Sequence, residues 1–419
     1  MNFHRDASGA SSIRVRIFDT TLRDGEQTPG VHITADQKAA IAERLEAFGV
    51  DTIEAGFPAS SPGDAEAVSR IAHRAQCEVA ALARCVHADI EAVVRALEPA
   101  ARPVAHLVLG VSDIHLARKV GMDRAQALRA IARSVACARG HVGEVEFSLE
   151  DATRAEPMFV RQVVSTAVEA GATRINIADT VGCALPHEFG DLIADAVRWA
   201  GPDVVVSAHC HNDLGLATAN AVEAVIRGAR QVEVTVNGIG ERAGNTALEE
   251  VAVVLALKRI AHTGIDLSQI ASMSEYVSRI AHVPVQPNRA IVGANAFAHS
   301  SGIHQDGILK DPENYEFVPP RLVGVKGHRF VLTARSGRRA IAHEAAALGH
   351  ELAPDQVDQV YARFLSVADR AEGAVDTTSL GKIVCEVMAD ETGRCGAGFQ
   401  PRLQRGWKSA PQGVISIGP

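Results

Sequence analysis

Short runs rich in β-branched residues alternate with Ala-rich helical stretches from about residue 14 to 260. The predicted strands are 15–18, 52–57, 78–83, 104–111, 144–148, 174–178, 204–208 and 231–236. The predicted helices that follow them are 35–48, 63–74, 88–97, 123–139, 158–170, 186–199, 216–227 and 247–260. Eight such units predict an α/β protein with a (β/α)8 TIM barrel. A doubly wound sheet is the alternative, but no Gly-x-Gly-x-x-Gly follows the first strand.

The pattern changes after residue 262. Helical periodicity returns at 268–282, 336–349 and 355–370. Residues 294–311 are rich in Gly and His, which is typical of a loop. We therefore predict a catalytic barrel over 13–262, followed by a smaller, mainly helical region over 263–385 that carries an active-site loop at 294–311. Residues 386–419 are predicted to form a flexible tail, because the end of the chain is rich in Gly, Arg and Pro and lacks periodicity.

Polar side chains lie where the predicted strands end. The first strand leads into Arg23 and Asp24, and the seventh leads into His209 and His211. In a barrel the carboxyl ends of all strands meet at one face, and active sites lie there. Residues far apart in sequence are therefore predicted to meet at one mouth.

Asp24, His209 and His211 are predicted to bind a divalent metal ion. Side chains alternate along a strand, so the His-x-His pair presents both imidazoles on one face, and Cys210 points away from them. Asn245 offers a further oxygen ligand or a hydrogen bond to a ligand. A ligand set of oxygen and nitrogen atoms without thiolates is compatible with Mg²⁺, Mn²⁺ or Zn²⁺. The alternative is a charged helix cap beside two hydrogen-bonded barrel histidines.

Three further charged residues, Arg23, Glu54 and Glu150, lie near predicted strand ends. A guanidinium beside a metal can bind a carboxylate through two hydrogen bonds or stabilise an enolate oxygen. The two carboxylates can orient a ligand or a substrate. The alternatives are a surface salt bridge for Arg23 and internal ion pairs for Glu54 and Glu150.

Two loops offer further chemistry. Residues 237–245 are Gly-rich and follow the last predicted strand, where backbone N–H groups can approach an anion and where many barrels bind phosphate. Residues 299–307 contain two histidines and an aspartate, which can close over the mouth and supply a general base. The alternatives are an ordinary Gly-rich loop and an ordinary polar loop.

Composition narrows the class of protein. The 419 residues are 47% hydrophobic and 22% charged, which is ordinary for a globular protein. A net charge of -8 disfavours nucleic-acid binding. Seven cysteines without paired spacing are typical of reduced thiols. There is no secretory signal and no run of ~18 apolar residues, so we predict a cytoplasmic enzyme that binds neither nucleic acid nor membrane.

Four stretches of the chain together resemble one enzyme family. They are 18–27 (FDTTLRDGEQ), 209–215 (HCHNDLG), 237–245 (NGIGERAGN) and 299–307 (HSSGIHQDG). They resemble the 2-isopropylmalate synthase and homocitrate synthase family of the DRE-TIM metallolyases. The resemblance covers about residues 13–370, and it is specific because all four stretches occur in the family's order and spacing.

The resemblance implies that acetyl-CoA condenses with a 2-oxo acid in a Claisen-type reaction, after which the thioester is hydrolysed. It implies a divalent metal that chelates the oxo acid and is held by Asp24, His209, His211 and Asn245. Arg23 would stabilise the charge that develops on the keto oxygen.

The resemblance also assigns supporting roles. Glu54 would hold Arg23, and Glu150 and Glu241 would be active-site acids. His304 would help to remove a proton from the acetyl methyl group, often in the neighbouring subunit's barrel, which implies a homodimer. The implied oxo-acid pocket is His106, Ser148, Asn176, Ala178 and Thr180.

The acceptor is predicted to be 2-oxoisovalerate, because residues 332–337 (LTARSG) resemble 2-isopropylmalate synthases. Ala178, however, stands where many of these enzymes carry Pro, as in homocitrate synthases, which use 2-oxoglutarate. An alkylmalate synthase for a specialised oxo acid also stays open, since a methylene changes selectivity by only ~1–3 kcal/mol. A lyase of the superfamily is less favoured because of the His304 loop. A non-catalytic metal-binding barrel is disfavoured because Arg23, Glu150 and His304 are all present.

Many 2-isopropylmalate synthases carry a C-terminal regulatory domain of about a hundred residues or more, a common size for a folding unit. This sequence shows no such segment after its helical region. We therefore expect no feedback inhibition by leucine, and inhibition at micromolar leucine in a kinetic assay would contradict this.

Overall fold

Eight parallel strands close into a barrel in the computed structural model, which describes residues 13–392. The strands are Arg16–Asp19 (β1), Thr52–Glu54 (β2), Glu78–Arg84 (β3), Pro103–Gly110 (β4), Glu144–Glu150 (β5), Arg174–Asp179 (β6), Val205–Cys210 (β7) and Gln231–Val234 (β8). β1 pairs with both β2 and β8, so the barrel has no free edge. The predicted TIM barrel is confirmed.

Each of the first seven strands is joined to the next by one or two helices, and two more helices follow β8. The helices are Ala35–Phe48 (α1), Pro62–Arg74 (α2), His87–Leu97 (α3), Asp113–His115 (α4, continued by a π-helical turn at Leu116–Val120), Arg124–Arg139 (α5), Pro157–Glu169 (α6), Pro186–Ala200 (α7), Ala217–Ile226 (α8), Leu248–Leu257 (α9) and Ile270–Ala281 (α10). Local sequence fixes their ends. Thr34 and Gln37 form a capping box at the start of α1, and Gly49 ends that helix at a φ of 98°.

The chain divides into two compact units. The first runs to Ala296 and includes Val318–Gly327, so it extends beyond the barrel boundary predicted at residue 262. Hydrogen bonds explain part of this extension. The Asn237 amide, beyond β8, donates to the Ser274 carbonyl on α10 at 3.0 Å. The α10 segment therefore belongs with the barrel.

The second unit comprises Phe297–Phe317 and the residues from His328 onward. Its elements are Ala298–His299 (β9), Gly302–Lys310 (α11), Arg329–Phe330 (β10), Arg338–Ala347 (α12), Pro354–Ala368 (α13) and Thr377–Thr392 (α14). Its core is built from apolar side chains of these helices and of the segments beside them. They include Leu332, Ile341, Val360, Phe364, Leu380 and Val384.

Two predictions need correction here. The expected loop at 294–311 contains α11, because tertiary contacts override the low helix propensity of its glycines. Gln305 of α11 is buried and donates to the His299 carbonyl at 2.9 Å, and Gly307 leaves room for the Tyr315 ring. The expected tail at 386–419 begins too early, because α14 continues to Thr392. Residues 393–419 lie outside the described part of the chain.

Within residues 13–392, no helix is both long enough and apolar enough to cross a membrane.

Candidate active site

Asp24, His209 and His211 form a buried cluster at the carboxyl end of the barrel. Asp24 precedes a short 3₁₀ turn after β1. His209 lies on β7, and His211 is the first residue after that strand. One ligand atom from each residue lies within 4.8 Å of the others, and no other trio of this kind occurs in the described residues. The exposed fractions are only 4%, 6% and 7%. Three potential ligands therefore converge where water has little access.

Glu233 of β8 orients one of these imidazoles. His209 and Glu233 are register partners on adjacent strands, so their side chains share a face. The His209 Nδ1–H donates to Glu233 Oε2 at 2.8 Å. His209 Nε2 is therefore the nitrogen that faces the other members of the cluster. Burial lowers the pKa of His209, but the hydrogen bond and the charge of Glu233 outweigh it and raise the pKa overall, so a metal ion that binds Nε2 would displace a proton.

The cluster fits a divalent cation by its geometry. His209 Nε2 and His211 Nε2 lie 3.2 Å apart. Two nitrogens at ~2.05 Å from a tetrahedral ion are separated by about 3.3 Å. Burial, followed by the charge of His209, lowers the pKa of His211 to about 4, so this imidazole is neutral and able to coordinate. The Asn245 Oδ1 atom is also buried and lacks a hydrogen-bond partner among residues 13–392.

The Gly-rich loop after β8 holds Asn245 beside Asp24. The Asn245 amide donates to Asp24 Oδ1 at 2.8 Å and to the Ile239 carbonyl at 3.1 Å. The loop needs glycine at position 244, where φ is +90° and a Cβ would lie 2.0 Å from the Gly238 carbonyl oxygen. This explains why a Gly-rich sequence precedes a buried polar residue.

Arg23 lies between two carboxylates. Its Nε donates to Glu54 Oε2 at 2.7 Å, and its Nη1 donates to Asp24 Oδ2 at 2.7 Å. Burial raises the pKa of Asp24, but the charge of Arg23, the largest opposing influence, and the hydrogen bond from Asn245 help to hold it well below its usual range. Asp24 is therefore ionised, as a metal ligand must be.

A chain of hydrogen bonds continues from Glu54 across the barrel interior. His106 Nδ1 lies 2.6 Å from Glu54 Oε1, and His106 Nε2 lies 2.6 Å from Ser148 Oγ. The Asn176 amide donates to the same hydroxyl at 2.8 Å. Burial lowers the pKa of His106, but the charge of Glu54 and its hydrogen bond outweigh burial and raise it to about 9. Three predicted pocket residues therefore form one connected polar surface.

The remaining predicted pocket residues lie on β6 and just beyond it. Ala178 is buried and is the register partner of His209 on the next strand. The Thr180 hydroxyl accepts a hydrogen bond from the Asp151 N–H at 2.8 Å. Ala178 is thus next to His209 in the barrel wall, and the Thr180 hydroxyl joins the end of β5 to the end of β6.

Residues 14–277 match the HMGL-like family model, and residues 291–372 match the model described as homocitrate synthase post-HMGL domain-like. A 2-isopropylmalate synthase of Carboxydothermus hydrogenoformans is 49% identical over 87% of this chain and 72% of that protein. One of Pyrococcus furiosus is 47% identical over 87% of this chain and 74% of that protein. The chain belongs to the 2-isopropylmalate synthase family. The resemblance drawn from the four sequence stretches is confirmed.

A solved structure shares the fold of this 2-isopropylmalate synthase family member. The hydroxymethylglutaryl-CoA lyase of Pseudomonas aeruginosa superposes with a TM-score of 0.59 at 22% identity, over 66% of this chain and 96% of the lyase. At 22% identity, this similarity shows only that the two proteins share the barrel fold.

Glu150 and Glu241, both predicted as catalytic, are not members of the cluster around Asp24, and a third such residue, His304, belongs to the second unit. Glu150, at the end of β5, forms an ion pair with Lys119 and lies 3.7 Å from the His115 ring. Glu241 is exposed in the Gly-rich loop. His304 is exposed on α11 of the second unit, where its ring lies 4.3 Å from the Tyr315 ring, centroid to centroid.

Two residues of the site were not predicted from the sequence of this 2-isopropylmalate synthase family member. Glu233 binds His209, and the Thr20 hydroxyl donates to Glu54 Oε2 at 2.6 Å. Alternation along β8 was the available signal for Glu233. Gln231 and Glu233 are spaced two apart among valines, which places both polar side chains on the same face of the strand.

Proposed function

We propose that this chain is an acyltransferase that condenses acetyl-CoA with 2-oxoisovalerate and hydrolyses the product thioester, giving 2-isopropylmalate and free CoA. The observation that carries the proposal is the buried Asp24–His209–His211 cluster with Arg23 hydrogen-bonded to one of its members. Curated relatives of almost half-identical sequence bear the 2-isopropylmalate synthase name, which supports the same reaction.

The metal site would be formed by Asp24, His209 and His211, with Asn245 as a fourth ligand. A bound divalent cation, Mg²⁺, Mn²⁺ or Zn²⁺, supplies Lewis-acid polarisation of the keto group. Glu233 keeps the His209 lone pair directed at the site.

Arg23 has the charge and the donors to stabilise negative charge on the keto oxygen as the new C–C bond forms. Glu54 fixes the guanidinium from the other side, at 2.7 Å, so that little reorganisation is needed during the reaction. His106, Ser148, Asn176, Ala178 and Thr180 would line the oxo-acid pocket. A separate cavity of about 470 Å³ also adjoins Arg23, but it is lined by residues between Leu22 and Ala67 and by none of these five.

Proton transfer is assigned to His304, with Glu150 and Glu241 as further acids. The base takes a proton from the acetyl methyl group, the methyl carbon bonds to the keto carbon, and the keto oxygen becomes a hydroxyl. Water then cleaves the thioester. His304 is exposed, as a residue that acts on another subunit's substrate must be. We therefore propose a cytoplasmic homodimer in which His304 serves the partner's barrel.

The acceptor is tested by measuring free CoA with 2-oxoisovalerate, 2-oxoglutarate, pyruvate and bulkier oxo acids. We expect the highest kcat/KM with 2-oxoisovalerate. The small Ala178 favours a second candidate, homocitrate synthase, which would show its highest value with 2-oxoglutarate. No turnover with any oxo acid, together with cleavage of a hydroxyacyl-CoA, would overturn the proposal in favour of a lyase.

The assignments of the residues are tested by two variants. His209→Ala should lose the metal and nearly all activity while it stays folded. His304→Ala should bind metal and oxo acid normally but condense slowly, and an unchanged kcat would remove His304 from the mechanism.

The two inactive variants also test the dimer. A refolded equimolar mixture should regain about a quarter of wild-type activity, because half of the dimers are mixed and each contains one intact site. A mixture that stays inactive would show that each subunit uses its own His304.

A further inference from the structure

A second concavity lies on the outside of the barrel, on the side where α3 and α5 pack together. Its volume is about 220 Å³, and four of its lining residues carry metal-ligating groups. His87 and Glu91 lie one turn apart on α3. Cys137 lies in the last turn of α5, and His141 follows four positions later, just beyond that helix. The proposed reaction uses none of them. We call this the α3–α5 groove.

We propose that the α3–α5 groove binds a thiophilic divalent cation of the Zn²⁺ class through Cys137, His87 and His141. Cys137 Sγ lies 3.7 Å from His87 Nδ1. A sulfur at ~2.3 Å and a nitrogen at ~2.05 Å from a tetrahedral ion are separated by about 3.6 Å. The two donors therefore already have the spacing that a shared ion requires. On binding, Cys137 coordinates as the thiolate and releases its proton to solvent.

Glu91 prepares His87 for this role. His87 Nε2 lies 3.2 Å from Glu91 Oε1, so a carboxylate stands beside one nitrogen of the ring. The other nitrogen, Nδ1, lies beside Cys137. In the active site a carboxylate is likewise next to a histidine, where Glu233 is hydrogen-bonded to His209 at 2.8 Å. Such carboxylates strengthen metal binding by fixing the tautomer and the ring orientation.

Cys137 differs from the other described cysteines of the barrel in its surroundings. Cys210 is buried, whereas Cys137 is only partly buried and lines the groove. The Cys77 thiol is hydrogen-bonded to the Glu78 carbonyl and the Cys183 thiol to the Asp179 carboxylate. Cys137 instead has an imidazole as its hydrogen-bond partner.

His141 would complete the site by rotating its side chain. Among the described residues, only Asp24, His209 and His211 already have three donors within 4.8 Å. His141 is exposed and lines the groove, so its side chain has the freedom to turn toward the ion. Ordering it lowers the affinity relative to a preformed site. A sulfur ligand favours Zn²⁺, or Co²⁺ as its spectroscopic substitute, over Mg²⁺.

The test is a Co²⁺ titration of the metal-free full-length protein, followed by absorption spectroscopy. A thiolate bound to Co²⁺ gives a near-ultraviolet charge-transfer band, whereas the Asp24 site has no thiolate. We expect this band in the wild type and its loss in Cys137→Ser. The matched control is Cys385→Ser, another partly buried cysteine, which should keep the band.

Two more variants test the ligand set. Glu91→Gln should weaken Co²⁺ binding at this site by about 10–100-fold, and His141→Gln should weaken it or change the band. CoA release by Cys137→Ser should equal that of the wild type, because the groove is separate from the active site. Absence of the band at saturating Co²⁺, or its persistence in Cys137→Ser, would overturn the proposal.

Discussion

Replacing Glu233 by Gln tests whether the buried carboxylate behind His209 strengthens the metal site. The Gln side chain has the same shape and can still accept from His209 Nδ1–H, so the variant removes charge while it keeps the contact seen at 2.8 Å. Loss of a residue that orients a metal-bound histidine costs 10–100-fold in affinity. We expect about tenfold for Glu233→Gln and about a hundredfold for Glu233→Ala, or ~1.4 and ~2.8 kcal/mol.

The assay is competition for the metal with a chromophoric chelator, at a pH where the protein is stable. Glu54→Gln is the matched control, since Glu54 is equally buried but contacts Arg23 and His106. It should lower kcat and leave metal affinity within a factor of about three. Equal affinity of Glu233→Gln, Glu233→Ala and the wild type would refute the reasoning.

Three other predictions follow from the same geometry. Arg23→Lys keeps the positive charge but loses the planar guanidinium that is hydrogen-bonded to Asp24 and Glu54. The kcat should therefore fall by about 10²–10³-fold while the metal still binds, and a near-normal kcat would contradict this. Burial lowers the pKa of His106, but the charge and the hydrogen bond of Glu54 outweigh burial and raise this pKa to about 9, above its usual 6.5. Its contribution to the free energy of unfolding is therefore full below pH 6.5 and lost as pH rises through 9, and urea unfolding should show a slope there that His106→Asn lacks. Gly244→Ala should cost about 1–3 kcal/mol of stability and weaken metal binding, unlike Gly143→Ala, where a Cβ meets nothing within 4 Å.

The barrel and the position of the metal cluster could be predicted because both depend on simple periodicities. Strand alternation directs the His209 and His211 side chains to the same side, and the rule that strand ends converge brings Asp24 near them. Both rules can be applied to the sequence alone, because neither depends on how neighbouring strands are staggered.

The role of Glu233 could not be predicted, because it depends on register. The pairing of His209 with Glu233 follows from the stagger of β7 against β8, which neither strand specifies alone. α11 was missed for a different reason. Its glycines are poor helix formers, and the contacts that stabilise it, such as the bond from Gln305 to the His299 carbonyl, come from outside the helix.

In the reaction proposed above, the hydrogen-bonded chain from Arg23 through Glu54, His106 and Ser148 to Asn176 would limit how the acceptor can change over evolution. Each member is hydrogen-bonded to the next, so a single substitution leaves a buried neighbour without its hydrogen-bond partner. New acceptor ranges should therefore arise through coordinated double changes. A laboratory library that varies adjoining members together should yield more active clones than one that randomises each codon separately.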